Sequence, residues 1–243
     1  TVLSCVGGGG LWRQLVCWCI DRGDAGIENL CLIPGSVGAA PIQNIGAYGV
    51  ELKDVFAYCD AVDTASGEIH RFDLENCKFG YRDSVFKKDL KGRYIITSVA
   101  LKLTTKNHKL NTSYGAIEQQ LELMNARTDI RTIAEAVIAI RSSKLPDPAQ
   151  IGNSGSFFKN PVINAAAFKQ FKAQFPEAPY YEVDHDNYKV PAGWLIEKSG
   201  FKGQRYGDAG VHTKQALVLV NHGNASGAEI WNLARTIQQK VKE

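Results

Sequence analysis

LCLIPGSVGAAPIQNIGAYGVEL, residues 30–52, is the stretch on which the reading of the fold turns. From Pro34 to Val50 it runs seventeen residues without a charged side chain, and it carries four glycines, Gly35, Gly38, Gly46 and Gly49. Glycine lets the backbone take positive φ and approach another group closely. A segment this rich in glycine loses much entropy on ordering, so something must hold it. Two readings follow. Either the segment is a buried tight-turn crossing between two strands, or its backbone N–H groups and the amides of Gln43 and Asn44 read the edge of a planar, polar cofactor. It is not a P-loop, because the closing Gly-Lys-Ser/Thr is missing, and it is not a G-x-G-x-x-G dinucleotide turn.

On the N-terminal side, VLSCVGGGG reads as a strand running into a glycine turn. LWRQLVCWCID then reads as a helix ending near Gly23, with Leu11, Leu15 and Trp18 beside Trp12, Val16 and Cys19 as its apolar stripe. On the C-terminal side, VFAYCDAVD (55–63) and EIHRFDL flank a Ser66-Gly67 turn and predict a hairpin. RYIITSVALKLT (93–104) is the strongest strand pattern, with Val99, Leu101 and Leu103 on one face. Helices are predicted over 115–126 and 129–142. KLPDP (144–148) then marks a boundary, since its two prolines exclude regular structure.

The expected domains are therefore 1–145 and 146–243. In the second, Asn164 caps a helix carrying Ala167, Phe168, Phe171 and Phe175, AGWLIEKSG is a short helix, and ALVLVN (216–221) is a buried strand. A last helix opens with Ser226 and Glu229 at capping-box spacing and carries Ile230, Leu233, Ile237 and Val241. Strands mixed with helices, without strict βαβ alternation, make the class α+β.

Composition narrows the function. The formal charge is +3 and no Lys/Arg block reaches five residues, so nucleic acid is not suggested, whereas a small anionic ligand suits the chain. All six cysteines fall in the first third, at 5, 17, 19, 31, 59 and 77, which reads as reduced thiols and not as a secreted disulfide scaffold. Cys17 and Cys19 lie about 200° apart on a helix and cannot easily share an ion, so no metal is expected. No stretch reaches the roughly 18 apolar residues of a membrane span.

GNSGSFFKNP (152–161) holds two serines and reads first as a loop. Neither Ser154 nor Ser156 sits in the G-x-S-x-G of a nucleophile elbow. A hydrolase would also need a His/Asp partner set; His212, in GVHTKQAL, is either structural or the single candidate.

In order along the chain, PGSVGAAPIQNIGAYG, FGYRDSVFK (79–87), KLPDP, GNSGSFFKNP and AGWLIEKSGFKG resemble the UDP-N-acetylenolpyruvoylglucosamine reductases, flavoenzymes of bacterial peptidoglycan precursor synthesis. Tyr114 and the helical insert around it resemble the longer, tyrosine-bearing type. The resemblance implies an FAD-binding fold shared with vanillyl-alcohol-oxidase-type flavoproteins, of which residues 1–145 would be the second lobe, plus a separate α+β substrate domain. It implies that NADPH reduces FAD, and that hydride then passes to the enolpyruvyl group of UDP-N-acetylglucosamine enolpyruvate to give UDP-N-acetylmuramate.

It also implies roles. Arg82 would stabilise the enolate, a guanidinium being permanently charged and suited to a carboxylate; the alternative is a surface ion pair with Asp83. Ser156 would donate a proton to the neighbouring carbon, while Ser154 has no matching role. Tyr114, Lys144, Asn160, Tyr181, Lys189 and Gln215 would surround the UDP-sugar, the alternative for each lysine being a solvated side chain. Pro34, Gly35, Gly38, Ala39, Ile42, Gln43, Asn44, Gly46, Ala47, Tyr48 and Arg141 would meet the FAD. Members of the family often carry a small hydroxyl where Ala39 or Ala40 stands here, which removes one hydrogen bond to the cofactor.

The family's upstream phosphate loop and a late glutamate that assists protonation have no counterpart between Thr1 and Glu243. The expectation for these residues alone is weak FAD binding and slow turnover, in a cytoplasmic monomer. Two other readings stay open, a non-catalytic remnant that binds a UDP-sugar and a related FAD oxidoreductase with another substrate.

Overall fold

Val99, Leu101 and Leu103 lie on the inner face of the central strand of the N-terminal sheet, each fully buried. The structure is a computed structural model describing residues 1–114 and 116–243, and it divides into two units, Thr1–Arg141 and Ser142–Glu243.

In chain order the first unit contains β1 (Val2–Gly7), α1 (Trp12–Arg22), the short hairpin β2 (Gly46–Ala47) and β3 (Val50–Glu51), β4 (Phe56–Asp63), β5 (Ile69–Asp73), α2 (Leu74–Cys77), β6 (Tyr94–Leu103), α3 (Ile117–Leu123) and α4 (Ile130–Lys144), whose end falls in the second unit. The sheet order is β1-β6-β4-β5, antiparallel throughout, with Ser4 opposite Leu101 and Cys59 opposite Val99. β6 alternates polar and apolar residues because one face meets solvent and the other meets the core. That core also takes Trp12, Leu15, Val16 and Cys19 from α1, and Ile133, Val137 and Ile140 from α4.

The buried stripe of α1 is narrower than its sequence suggests. Leu11 is the N-cap residue and is 54% exposed, and Trp18 is 50% exposed, its ring 4.7 Å beneath the Arg22 guanidinium. Residues 12, 15, 16 and 19 follow the 3.6-residue period, and residue 18 falls off that line.

The glycine segment is not a free loop. It forms two consecutive 3₁₀ turns, Val37–Ala39 and Pro41–Gln43, and then the β2–β3 hairpin. Backbone bonds anchor it: Val37 N–H donates to Gly10 O at 2.8 Å and Gly38 N–H donates to Gly8 O at 2.8 Å. A β-carbon on Gly38 would stand 2.7 Å from the Ile96 carbonyl oxygen, so this position admits only glycine.

The second unit contains β7 (Gly152–Ser156), β8 (Val162–Asn164), α5 (Ala165–Gln174), β9 (Tyr181–Asp184), β10 (Asn187–Lys189), α6 (Ala192–Lys198), β11 (Arg205–Tyr206), β12 (Ala209–Val211), β13 (Val218–Asn221) and α7 (Gly227–Lys242). Its sheets are β11-β12-β13-β7 and β8-β10-β9. Ile196, Phe201, Val211, Leu219, Leu233 and Ile237 form the core. The Ser226–Glu229 capping box forms as the sequence predicts, and Asn164 Oδ1 accepts the Ala167 N–H at 2.9 Å. No residue of α5 is buried; its aromatic face instead stacks Phe168 on Tyr188 at 3.9 Å.

GNSGS corrects the loop reading. It is a strand, β7, because its backbone pairs with the apolar β13. Tertiary pairing here overrides residues that favour turns when alone. None of the described helices is long and apolar enough to cross a membrane, and no group of metal-ligating side chains occurs among the described residues.

Candidate active site

In the first unit the candidate residues gather on the glycine segment. Gly35, Ala39 and Gln43 recur every four residues and are exposed together with Pro34, whereas Val37, Ala40, Pro41, Asn44 and Ile45 turn inward. Ile42, Gly46, Ala47 and Tyr48 are half-buried behind that edge. Tyr48 takes φ 49°, and its carbonyl accepts the Asn29 amide at 2.9 Å. A β-carbon on Gly49 would stand 3.1 Å from Tyr114 Cβ, so Tyr114 lies against the same segment.

Arg82 reaches this segment from a tight turn. Gly80 and Asp83 exchange backbone bonds at 3.0 and 3.2 Å, which leaves Tyr81 and Arg82 at the tip. Arg82 adopts φ 54°, a left-handed conformation that costs a non-glycine residue about 1 kcal/mol. Its guanidinium donates to the Gly46 carbonyl and to Glu51 Oε1, the latter at 3.3 Å. The simple alternative for Arg82, an ion pair with its neighbour Asp83, is not what forms, since Asp83 pairs with Lys88 at 2.5 Å. A β-carbon on Gly46 would stand 2.7 Å from Arg82 Nη1, 2.9 Å from Glu51 Cγ and 3.0 Å from the Val50 carbonyl oxygen, so a side chain there would crowd the seat of Arg82.

The Asn44 amide, expected at a ligand's edge, is committed inside the fold. It donates to Glu51 Oε2 at 3.1 Å and to Gly80 O at 3.0 Å, and it accepts the Lys53 N–H at 3.0 Å.

Two buried polar atoms beside the segment lack any partner among the described residues, Asn29 Oδ1 and Arg141 Nε. Arg141 otherwise donates to Leu32 O at 3.3 Å. Burial pulls the Arg141 pKa below its ordinary value, partly offset by Tyr48 and Cys31. Burial pushes the Tyr48 phenol up, and the Arg141 charge opposes the shift. A buried donor and a buried acceptor left without partners are costly unless a ligand or water completes them.

In the second unit β7 carries a bulge. Ser156 pairs with Val218 and Asn153 with Val220, so one residue is extra on β7, and Gly155 there takes φ 62°. An extra residue of this kind re-aims the side chain that follows it. Ser154 and Ser156 are both exposed, with Ser156 at the strand end. Phe157 N–H donates to Leu217 O at 2.8 Å, and the Gln215 carbonyl accepts the Val218 N–H at 3.1 Å. Gln215 Oε1 would lie 3.2 Å from a β-carbon on Gly193, in the first turn of α6. Asn160 Oδ1 accepts the Ala192 N–H at 2.9 Å at the start of the same helix. Ser156, Gln215 and Asn160 are thus linked through β13 and α6. Tyr181 and Lys189 face each other across β9 and β10, with Nζ 5.6 Å from the ring centroid. Lys144 is the exposed last residue of α4. His212 accepts the Lys214 N–H at 3.3 Å, a local turn contact.

Sequence reasoning missed Asn29 and Glu51. Asn29 is a fully buried polar residue just before an apolar run, and Glu51 is the first charge after the uncharged segment. Those are the signals that could have found them.

Comparison with known proteins accounts for both units. Residues 147–243 match the family model described as UDP-N-acetylenolpyruvoylglucosamine reductase, C-terminal domain, and residues 3–73 match that of an FAD binding domain. The chain is 53% identical over 236 residues to the UDP-N-acetylenolpyruvoylglucosamine reductase of Flavobacterium johnsoniae, covering 97% of this chain and 70% of that protein. It is 49% identical over 235 residues to the reductase of Pseudomonas aeruginosa, covering 96% of this chain and 69% of that one. Among solved structures, UDP-N-acetylenolpyruvylglucosamine reductase from Thermus caldophilus superposes with a TM-score of 0.67 at 26% identity, covering 97% of this chain and 68% of that chain. With identity near one half along nearly its whole length, the chain belongs to the UDP-N-acetylenolpyruvoylglucosamine reductase family.

Proposed function

We propose that this protein reduces the enolpyruvyl group of UDP-N-acetylglucosamine enolpyruvate to give UDP-N-acetylmuramate, in the synthesis of peptidoglycan precursors. The observation that carries the reading is the 53% identity to a named reductase over 236 residues. Bound FAD would supply the hydride-transfer chemistry between NADPH and the enolpyruvyl double bond.

The residues of the glycine segment fit that cofactor. Asn29 Oδ1 accepts and Arg141 Nε donates, both buried and unpartnered among the described residues, which suits a ring whose edge carries N–H and carbonyl groups. Pro34, Gly35, Ala39 and Gln43 would offer the exposed edge, with Gly38, Ile42, Gly46, Ala47 and Tyr48 behind it. Asn44 would serve through its backbone and as a brace.

Hydride addition to the terminal carbon leaves negative charge spread into the substrate carboxylate. Arg82 would stabilise that charge from its seat on Gly46, where the guanidinium is already oriented before charge develops. Ser156 would supply the proton to the adjacent carbon. A serine hydroxyl is a weak acid and can serve only a strongly basic carbanion. Tyr114, Lys144, Asn160, Tyr181, Lys189 and Gln215 would contact the UDP-sugar, the lysines and tyrosines suiting its diphosphate. Residues 1–145 would form the cofactor lobe and residues 146–243 the substrate domain, in a cytoplasmic monomer.

Rapid-mixing absorbance of the flavin tests the assignment. Arg82→Ala should leave reduction by NADPH and binding of the UDP-sugar intact, and should slow anaerobic reoxidation by the enolpyruvyl substrate at least 100-fold, as loss of a preorganised charge partner does. Reoxidation at the unsubstituted rate would overturn it.

A further inference from the structure

We infer that Glu51 is a positioning residue for Arg82, holding the guanidinium on the glycine segment in the orientation the reaction uses. The inference rests on the catalytic role proposed for Arg82, and its geometry lies entirely within the first unit.

Glu51 ends the β2–β3 hairpin and divides its carboxylate between two sides. Oε1 accepts from Arg82 Nη1 at 3.3 Å. Oε2 accepts from Asn44 Nδ2 at 3.1 Å and faces Lys53 Nζ at 3.2 Å. The same Asn44 amide donates to Gly80 O at 3.0 Å, at the base of the turn that presents Arg82. A single brace therefore grips both ends of Arg82, with Asn44 fixing the backbone turn and Glu51 fixing the charged head. Glu51 also sets its own backbone, since it donates its N–H to Asp54 Oδ2 at 2.7 Å within a capping box.

An unrestrained arginine side chain samples many rotamers, and binding a substrate carboxylate would have to freeze it. In this fold the freezing is done beforehand. The Arg82 and Glu51 side chains are 29% and 23% exposed, so the pair is shielded enough to hold and open enough for a ligand to reach. Lys53 shares the Glu51 carboxylate with Arg82, so Glu51 only partly neutralises the guanidinium and leaves it able to meet an incoming carboxylate.

The experiment compares Glu51→Gln and Glu51→Asp with Arg82→Ala in the flavin-loaded protein, following both half-reactions by rapid-mixing absorbance, together with the ¹⁵N side-chain NMR signals of Arg82. Glu51→Gln should slow substrate-driven reoxidation roughly 10–100-fold, the range expected for a group displaced by about 1 Å, while reduction by NADPH stays within about twofold. Glu51→Asp, which keeps the charge, should recover part of the loss. The restrained Arg82 guanidinium signals of the native protein should average in Glu51→Gln, a change that needs no turnover.

Unaltered reoxidation and unaltered Arg82 signals in Glu51→Gln, beside a slow Arg82→Ala, would overturn the inference. So would an equal fall in both half-reactions. If Arg82→Ala itself reoxidised normally, the catalytic assignment would fail, and the NMR signals would still decide whether Glu51 restrains Arg82. Should Glu51→Gln not fold, Glu51→Asp decides alone: slowed reoxidation with loosened Arg82 signals supports the brace, and native behaviour in both refutes it.

Discussion

The side-chain amide of Asn29 donates to the carbonyl of Tyr48 at 2.9 Å, and the same nitrogen donates to the carbonyl of Asn111 at 2.9 Å. One fully buried side chain thus ties the left-handed Tyr48 to a stretch of chain 63 residues further on, just before Tyr114. Asn29→Asp is isosteric but has no N–H, so two buried carbonyls would lose their donor and face a negative charge. The expected loss is about 3 kcal/mol of folding stability, read from urea denaturation, together with a lowered flavin content in the purified protein.

Gly155 is expected to matter through its backbone alone. It takes φ 62°, and nothing stands within 4 Å of the place a side-chain methyl would occupy, so Gly155→Ala meets no steric clash. The strain of a left-handed alanine should cost about 1 kcal/mol of stability. Because the bulge aims Ser156, the same substitution should lower product formation at saturating substrate by much more than that stability loss explains. Intact turnover in Gly155→Ala, measured at a temperature where the protein stays folded, would show that a left-handed glycine in the bulge is not needed to aim Ser156.

Elements with strong periodicity were legible in the sequence. β6 follows from the alternation of Val99, Leu101 and Leu103, and the start of α7 follows from Ser226 and Glu229. β7 was not, because Gly, Asn and Ser carry no strand signal and the pairing partner lies more than sixty residues away at Val218–Asn221. The seat of Arg82 was only half legible. FGYRDS marks the residue, and adjacency suggests Asp83 as its partner, but Asp83 pairs with Lys88 in the fold. The true partner, Glu51, is 31 residues distant and stands alone in sequence, so only the folded backbone brings the two together.

Thiol chemistry offers a check on the first unit. Burial pushes Cys19 up to about 12, with the Asp24 charge adding to it, and burial likewise pushes Cys31 up to about 12. Cys77 is pushed up by its bond to the Cys59 thiol and by burial. Cys5 and Cys17 are exposed. Alkylation of the native protein at pH 8 should therefore label Cys5 and Cys17 within minutes and leave the other four intact until denaturant is added, since the thiolate is the reacting species. Peptide mass spectrometry reads the result. Rapid native labelling of Cys19 or Cys31 would contradict the packing of α1 against the glycine segment's flank.

Acid stability should depend on Asp63. Its carboxylate accepts the Ala65 N–H at 2.9 Å and the Arg93 Nε–H at 2.8 Å, and only 3% of the side chain is exposed. The Ala65 backbone bond, then the Arg93 bond, hold its pKa below the ordinary 3.8. A carboxylate whose folded pKa is depressed stabilises the fold above its unfolded value, and that contribution fades as pH falls through the lower folded value. Asp63→Asn should therefore shift the urea midpoint downward relative to the unsubstituted protein at pH 7. The difference should begin to shrink only below about pH 4 and should vanish once both states are protonated. A midpoint difference that stays constant from pH 7 down to acid would show that Asp63 acts through shape and not through charge.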